Sequence, residues 1–137
     1  MLEQKRILIV DDDPAFLEIN RMILESAGYV VEEACNVDQA LQAVRDNAYD
    51  LLVIDLIMEN MDSGFTIAYA VRSNERSRRW PILLLTSAQE RTGFTFHLDQ
   101  DKEWMKVDDI AAKPLKPAEL IEKVERLLAD KETENNG

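Results

Sequence analysis

Cysteine and histidine are nearly absent from this 137-residue sequence, which carries one of each. A single thiol, Cys35, cannot close an intramolecular disulfide, so the core must hold the fold, as in a reducing compartment. Cys35 itself reads as a small, partly buried apolar residue. His97 has no second histidine or cysteine to share a metal with, and it reads as structural. No apolar run approaches the roughly 20 residues that span a bilayer. The opening MLEQKRILIVDDDP runs into three acids where a secretory leader would continue to a small-residue cleavage site. The expected setting is the cytoplasm, without membrane insertion. Basic residues are also scarce: 16 Lys and Arg face 27 Asp and Glu, and the net charge of −11 argues against direct nucleic-acid binding. The cluster Arg72, Arg76, Arg78 and Arg79 reads as the solvated end of a helix and the loop after it. The length suits one domain rather than two.

What is present is an alternation of short apolar runs with amphipathic segments. Residues 7–10, 51–54 and 82–85 are continuous apolar stretches suited to strands covered on both faces. Before the second of these, residues 29–33 suit an outer strand, and 110–112 a last one. The first helix is expected over residues 14–27, with Asp13 as cap, Pro14 in the first turn, a stripe of Phe16, Ile19, Ile23 and Ala27, and Gly28 as left-handed stop. Asn36 with Gln39 makes a capping-box-like start for a second, burying Val37, Ala40, Leu41, Val44 and Ala48. A third begins at Asp62 or Ser63 and reaches toward Ser73. The last begins near Pro117 and buries Leu120, Val124, Leu127 and Leu128, and residues 131–137 form a polar, fraying tail after a domain of residues 1–130. The implied architecture is α/β: a doubly wound, five-stranded parallel sheet of order 2-1-3-4-5 with helices on both faces. Trp80, Trp104, Phe94 and Phe96 read as packing residues.

The chemistry lies in what ends each apolar run: Asp11 and Asp12 after the first, Asp55 at the close of the third strand, Thr86 after the fourth, and Lys113 after the fifth. In an open α/β sheet, ligands bind beyond the carboxyl ends of the strands where the order reverses, here between strands one and three. Three converging carboxylates repel one another, and a divalent cation resolves the conflict. All-oxygen surroundings suit Mg²⁺ or Mn²⁺, with Asp12 and Asp55 as ligands, Asp11 direct or through water, and the backbone carbonyl of Ile57 as a further oxygen. With that charge neutralised and the Lys113 ammonium beside it, the Asp55 carboxylate can attack phosphorus in line to give an acyl phosphate. No organic cofactor is implied.

Through ILIVDDDP, YDLLVIDLIMENMD, PILLLTS and AAKPLKP, the sequence resembles the response-regulator receiver family over nearly its whole length. The resemblance implies that Asp11 and Asp12 form the acid pocket, Asp55 accepts phosphate, Thr86 is the switch hydroxyl and Lys113 the site lysine. It also implies a sensor histidine kinase or phosphotransfer protein as donor and a protein as downstream target. Glu59 and Asp62-Ser63-Gly64 depart from the family's usual proline and Asp-Gly, and Ile110 replaces an aromatic switch residue. The span from Thr86 to Lys113 is longer than the family's norm. Within it, Gly93 interrupts and Phe94, Phe96 and Leu98 alternate with polar residues, so the family's fourth helix is expected to be short or replaced by a loop over residues 89–109. The alternatives are a haloacid-dehalogenase-like phosphatase using the first two spaced acids, or a degenerate receiver that binds partners without phosphorylation.

Overall fold

The computed structural model describes residues 4–56, 58, 63–87 and 107–136. Five strands, β1 (Arg6–Val10), β2 (Val30–Ala34), β3 (Leu51–Asp55), β4 (Ile82–Ser87) and β5 (Asp109–Lys113), pair in parallel in the order β2-β1-β3-β4-β5. Four described helices accompany them: α1 (Pro14–Ser26), α2 (Val37–Asp46), α3 (Ser63–Ser73) and α4 (Pro117–Asn136). Side chains alternate across a pleated strand, and each central strand feeds two layers. Leu8, Val10, Leu52, Ile54, Ile82 and Leu84 pack with Ala40 and Val44 of α2 and Ile67 and Val71 of α3. Ile7, Ile9, Leu51, Val53, Leu83 and Leu85 pack with Leu17 and Leu24 of α1 and Leu120 and Val124 of α4. This is the doubly wound sheet the sequence implies. Because every strand runs the same way, all the carboxyl ends share one edge.

The helix signals mostly hold. Asp13 caps α1 by accepting from the Ala15 amide at 3.0 Å, and Gly28 has φ of +99°, a conformation that costs a side chain but not glycine. Asn36 caps α2 through the Gln39 amide at 2.8 Å, and Gln39 reaches back to the Cys35 amide at 2.9 Å. The α4 helix is described through residues 131–136, where the sequence suggests a polar tail.

Four expectations need correction. The buried face of α1 is Leu17, Asn20 and Leu24, whereas Ile19 is 57% exposed and Ala27 is also exposed. Asn20 tolerates burial because its Nδ2 donates to the Phe16 carbonyl at 2.8 Å, so a polar residue occupies the core side and hides the true stripe. Ala48 is exposed because α2 stops at Asp46, and Tyr49 takes the buried place beyond it. Cys35 is exposed at the turn into α2, its Sγ next to the Gln39 side chain at 3.2 Å. The arginine cluster is not simply solvated. Arg72 donates to the carbonyls of Arg78 and Trp80 and to Asp108, and Arg76 donates to the carbonyls of Val44, Arg45 and Asn47. These guanidiniums tie α3, the end of α2 and the approach to β4 together.

Trp80 is a packing residue, meeting Tyr49 edge-on at 5.9 Å beneath the Arg76 guanidinium. The region expected to lack a long helix, residues 89–109, lies outside the described residues as far as 106, and so do His97, Phe94, Phe96 and Trp104. Among the described residues no helix is long and apolar enough to cross a membrane.

Candidate functional site

At the carboxyl edge of the sheet β1 and β3 lie side by side, with Val10 opposite Ile54. Asp11 follows β1 directly, its amide bonded to the Ala34 carbonyl at 3.1 Å, and Asp55 closes β3. That register brings one carboxylate oxygen from each of Asp11, Asp12 and Asp55 within 4.8 Å of the others. Asp11 and Asp55 are buried, at 1% and 2% exposure, and Asp12 faces solvent. Two carboxylates at that separation repel by about 3.5 kcal/mol at an effective dielectric of about 20.

β5 supplies the compensating charge. Lys113 Nζ lies 2.6 Å from Asp11 Oδ2 and 3.6 Å from Asp55 Oδ1. The other Asp11 oxygen accepts the Asp13 amide at 2.9 Å. Burial nevertheless pushes the Asp11 carboxyl above its ordinary pKa, against the hydrogen bonds from Lys113 and Asp13. Among the described residues one ammonium faces three carboxylates, and that is a donor set and charge deficit that a hard divalent cation fits. From β4, Thr86 is 1% exposed, and its hydroxyl has no hydrogen-bond partner among the described residues. Such a group costs stability unless a ligand oxygen completes it.

The start of α3 forms the adjoining wall. The Gly64 amide donates to the Leu56 carbonyl at 2.7 Å, and a Cβ on Gly64 would stand 2.7 Å from the Leu56 Cα and 2.9 Å from the Asp55 carbonyl oxygen. Only glycine allows the helix to start this close to the end of β3. The stretch Asp62-Ser63-Gly64 that departs from the family's Asp-Gly thus supplies the glycine at this contact. On the opposite side, the Phe16 ring of α1 sits under the Lys113 ammonium, with its centroid 4.2 Å from Nζ. In the sequence Phe16 belongs only to an apolar stripe of the first helix. Nothing in a linear sequence pairs it with Lys113. Of the predicted site residues, Asp11, Asp12, Asp55 and Lys113 are brought together, Thr86 stands in β4 one residue past the partner of Asp55, and Ile57 lies outside the described residues.

Residues 7–125 match the family described as the response regulator receiver domain. The chain belongs to the response regulator receiver family. Its signalling class is thereby set, and the dehalogenase-like alternative gives way. Over 96% of its length it is 31% identical to the DNA-binding response regulator MtrA of Mycolicibacterium smegmatis, of which the match covers 54%. The chain thus spans about half the length of the curated relatives it matches. Among solved structures it is similar to the chemotaxis response regulator CheY4 of Vibrio cholerae, with a TM-score of 0.78 and 26% identity over 91% of this chain and 99% of that one. It is also similar to the receiver domain of the sensor histidine kinase PA1611 of Pseudomonas aeruginosa, with a TM-score of 0.76, 28% identity and coverage of 93% and 99%. That structure has a magnesium ion coordinated in its active-site cleft.

Proposed function

We propose that this receiver accepts a phosphoryl group on Asp55 in a Mg²⁺-dependent reaction and passes the change on by protein contact. The observation that carries the reading is the cluster at the carboxyl edge: three carboxylates within 4.8 Å, one ammonium touching two of them, and a buried hydroxyl one strand away. Asp12 and Asp55 would hold the metal directly, Mg²⁺ or Mn²⁺, and the backbone carbonyl of Ile57, outside the described residues, would add an oxygen. Asp11, whose two oxygens already accept the Asp13 amide and the Lys113 ammonium, acts through water. The magnesium in the similar PA1611 receiver supports the same occupancy here. The bound metal supplies a positive charge that offsets the acids and the incoming phosphoryl oxygens.

A carboxylate oxygen of Asp55 then forms the bond to phosphorus as the bond to the donor's imidazole nitrogen breaks, its electron pair leaving with that nitrogen. Lys113 neutralises the phosphoryl group as it arrives, and the Thr86 hydroxyl donates to one of its oxygens, drawing the end of β4 toward the site. The donor is a sensor histidine kinase or phosphotransfer protein. Residues 1–130 form the receiver and 131–137 a polar extension. The net charge of −11 supports a protein target over direct nucleic-acid binding, even though the relatives include DNA-binding regulators, and the setting is the cytoplasm. Intact mass after incubation with acetyl phosphate and Mg²⁺ tests the assignment. One phosphoryl group is expected on the unmodified chain and none on Asp55→Asn; a gain in both refutes Asp55 as the acceptor.

A further inference from the structure

We propose that Phe16 is a positioning residue for phosphoryl transfer, its aromatic face holding the Lys113 ammonium at the height of the Asp55 carboxylate. The inference rests on the receiver reading above and adds a component to it. Lys113 ends a flexible four-carbon stem, and its charge is useful only if it stands where the phosphoryl oxygens arrive. Three of its contacts among the described residues place it: Asp11 at 2.6 Å, Asp55 at 3.6 Å and the Phe16 ring centroid at 4.2 Å.

The three are not equivalent once the site is loaded. Asp55, once it ligates a cation or carries a phosphoryl group, shares its charge and holds an ammonium less strongly, and a cation that Asp11 meets through water draws on that carboxylate too. An aromatic face ligates nothing and loses nothing, so its attraction persists through the reaction. Phe16 can serve this way because α1 fixes it. Asp13 caps the helix three residues earlier, and the ring is part-buried against the layer of Leu17 and Leu24, with one face left for the lysine. The ring also walls an open groove of about 450 Å³ between α1 and the segment from Lys113 to Pro117, and the Lys113 side chain is 19% exposed.

The test is a double-mutant cycle read by the rate of phosphoryl gain from acetyl phosphate at saturating Mg²⁺. Phe16→Leu keeps apolar bulk without a π face, and Phe16→Tyr keeps the face. Phe16→Leu is expected to slow the reaction about fivefold, and Phe16→Tyr to stay within about twofold of the unmodified chain. In the Lys113→Ala background Phe16→Leu should have no further effect, and in either background Phe16→Leu should leave Mg²⁺ affinity within about twofold. A role in packing alone would slow both backgrounds alike, which overturns the inference. A normal rate in Phe16→Leu, or an equal loss in Phe16→Tyr, overturns it too. Absence of labelling in the unmodified chain overturns the receiver reading and this inference with it.

Discussion

The two ends of the sheet treat charge in opposite ways. At the amino edge three guanidiniums are met by acceptors: Arg6 by Glu32, which also takes the Tyr49 hydroxyl at 2.7 Å; Arg72 by two carbonyls and Asp108; Arg76 by three carbonyls at the end of α2. At the carboxyl edge acids outnumber bases, and a threonine hydroxyl is buried with no partner among the described residues. Matched charge is what a structural joint needs. Mismatched charge is costly in the resting protein, and it marks the end where a ligand completes the balance.

The sharpest way to break this contrast is to remove Lys113, the cation that the described residues place at the carboxyl edge. Lys113→Met leaves the buried acids facing one another and is expected to lower metal-free stability by about 3 kcal/mol, measured by urea unfolding in EDTA. A loss below about 1 kcal/mol means the acids are well solvated and the mismatch is not real. Gly64→Ala asks whether that end is also crowded in space. With backbone 2.7 Å from the new Cβ, a loss of about 2 kcal/mol is expected, and an unchanged midpoint means α3 can shift away freely. At the amino edge, Arg72→Met should cost about 1.5 kcal/mol through its lost carbonyl and Asp108 partners. Its Mg²⁺ affinity should match that of the unmodified chain, and a weakened one would show that the edges are not separate.

The contrast also explains what the sequence made visible. Strand ends were legible because a both-faces-buried strand is a continuous apolar run, and the residue that breaks it is conspicuous. Asp11, Asp55, Thr86 and Lys113 were found in that way. β5 (DIAAK) is weaker in pattern, yet its closing lysine and the proline after it mark its end. The face of α1 was misread because a buried Asn20 satisfies itself locally, which periodicity cannot register. Arg72 and Arg76 were misread for a related reason: their partners are main-chain carbonyls, and a sequence does not say which carbonyls a helix end leaves unbonded. Pairings such as Phe16 with Lys113 need the fold first.

A smaller effect with the opposite sign sharpens the comparison. Asp55→Asn removes one charge from the crowded edge and is expected to raise metal-free stability by about 1 kcal/mol, while Mg²⁺ stabilises it less than it stabilises the unmodified chain. Equal stabilisation by Mg²⁺ in both would take Asp55 out of the ligand set.

The last expectation is a difference in pH dependence between the edges. For Glu32, burial pushes the carboxyl up, but the hydrogen bonds from Tyr49 and Arg6 outweigh it and the pKa is lowered. Its stabilising contribution is therefore present above the unfolded value of about 4.3 and is lost as pH falls through the lower folded value. For Asp11 the folded pKa is raised, chiefly by burial. Its ionised form is a cost carried above the folded value, relieved as pH falls through it and gone below the unfolded value of about 3.9. Acidifying the metal-free protein from neutral toward about pH 4 should thus first raise the urea midpoint through Asp11, before the Glu32 contribution declines at lower pH. Asp11→Asn should abolish the rise and Tyr49→Phe should shrink the later fall. Saturating Mg²⁺ should also remove the rise, because a bound cation favours the ionised cluster. A midpoint in EDTA that falls steadily from neutral pH in both the unmodified chain and Asp11→Asn means that Asp11 is not the strained acid of this edge.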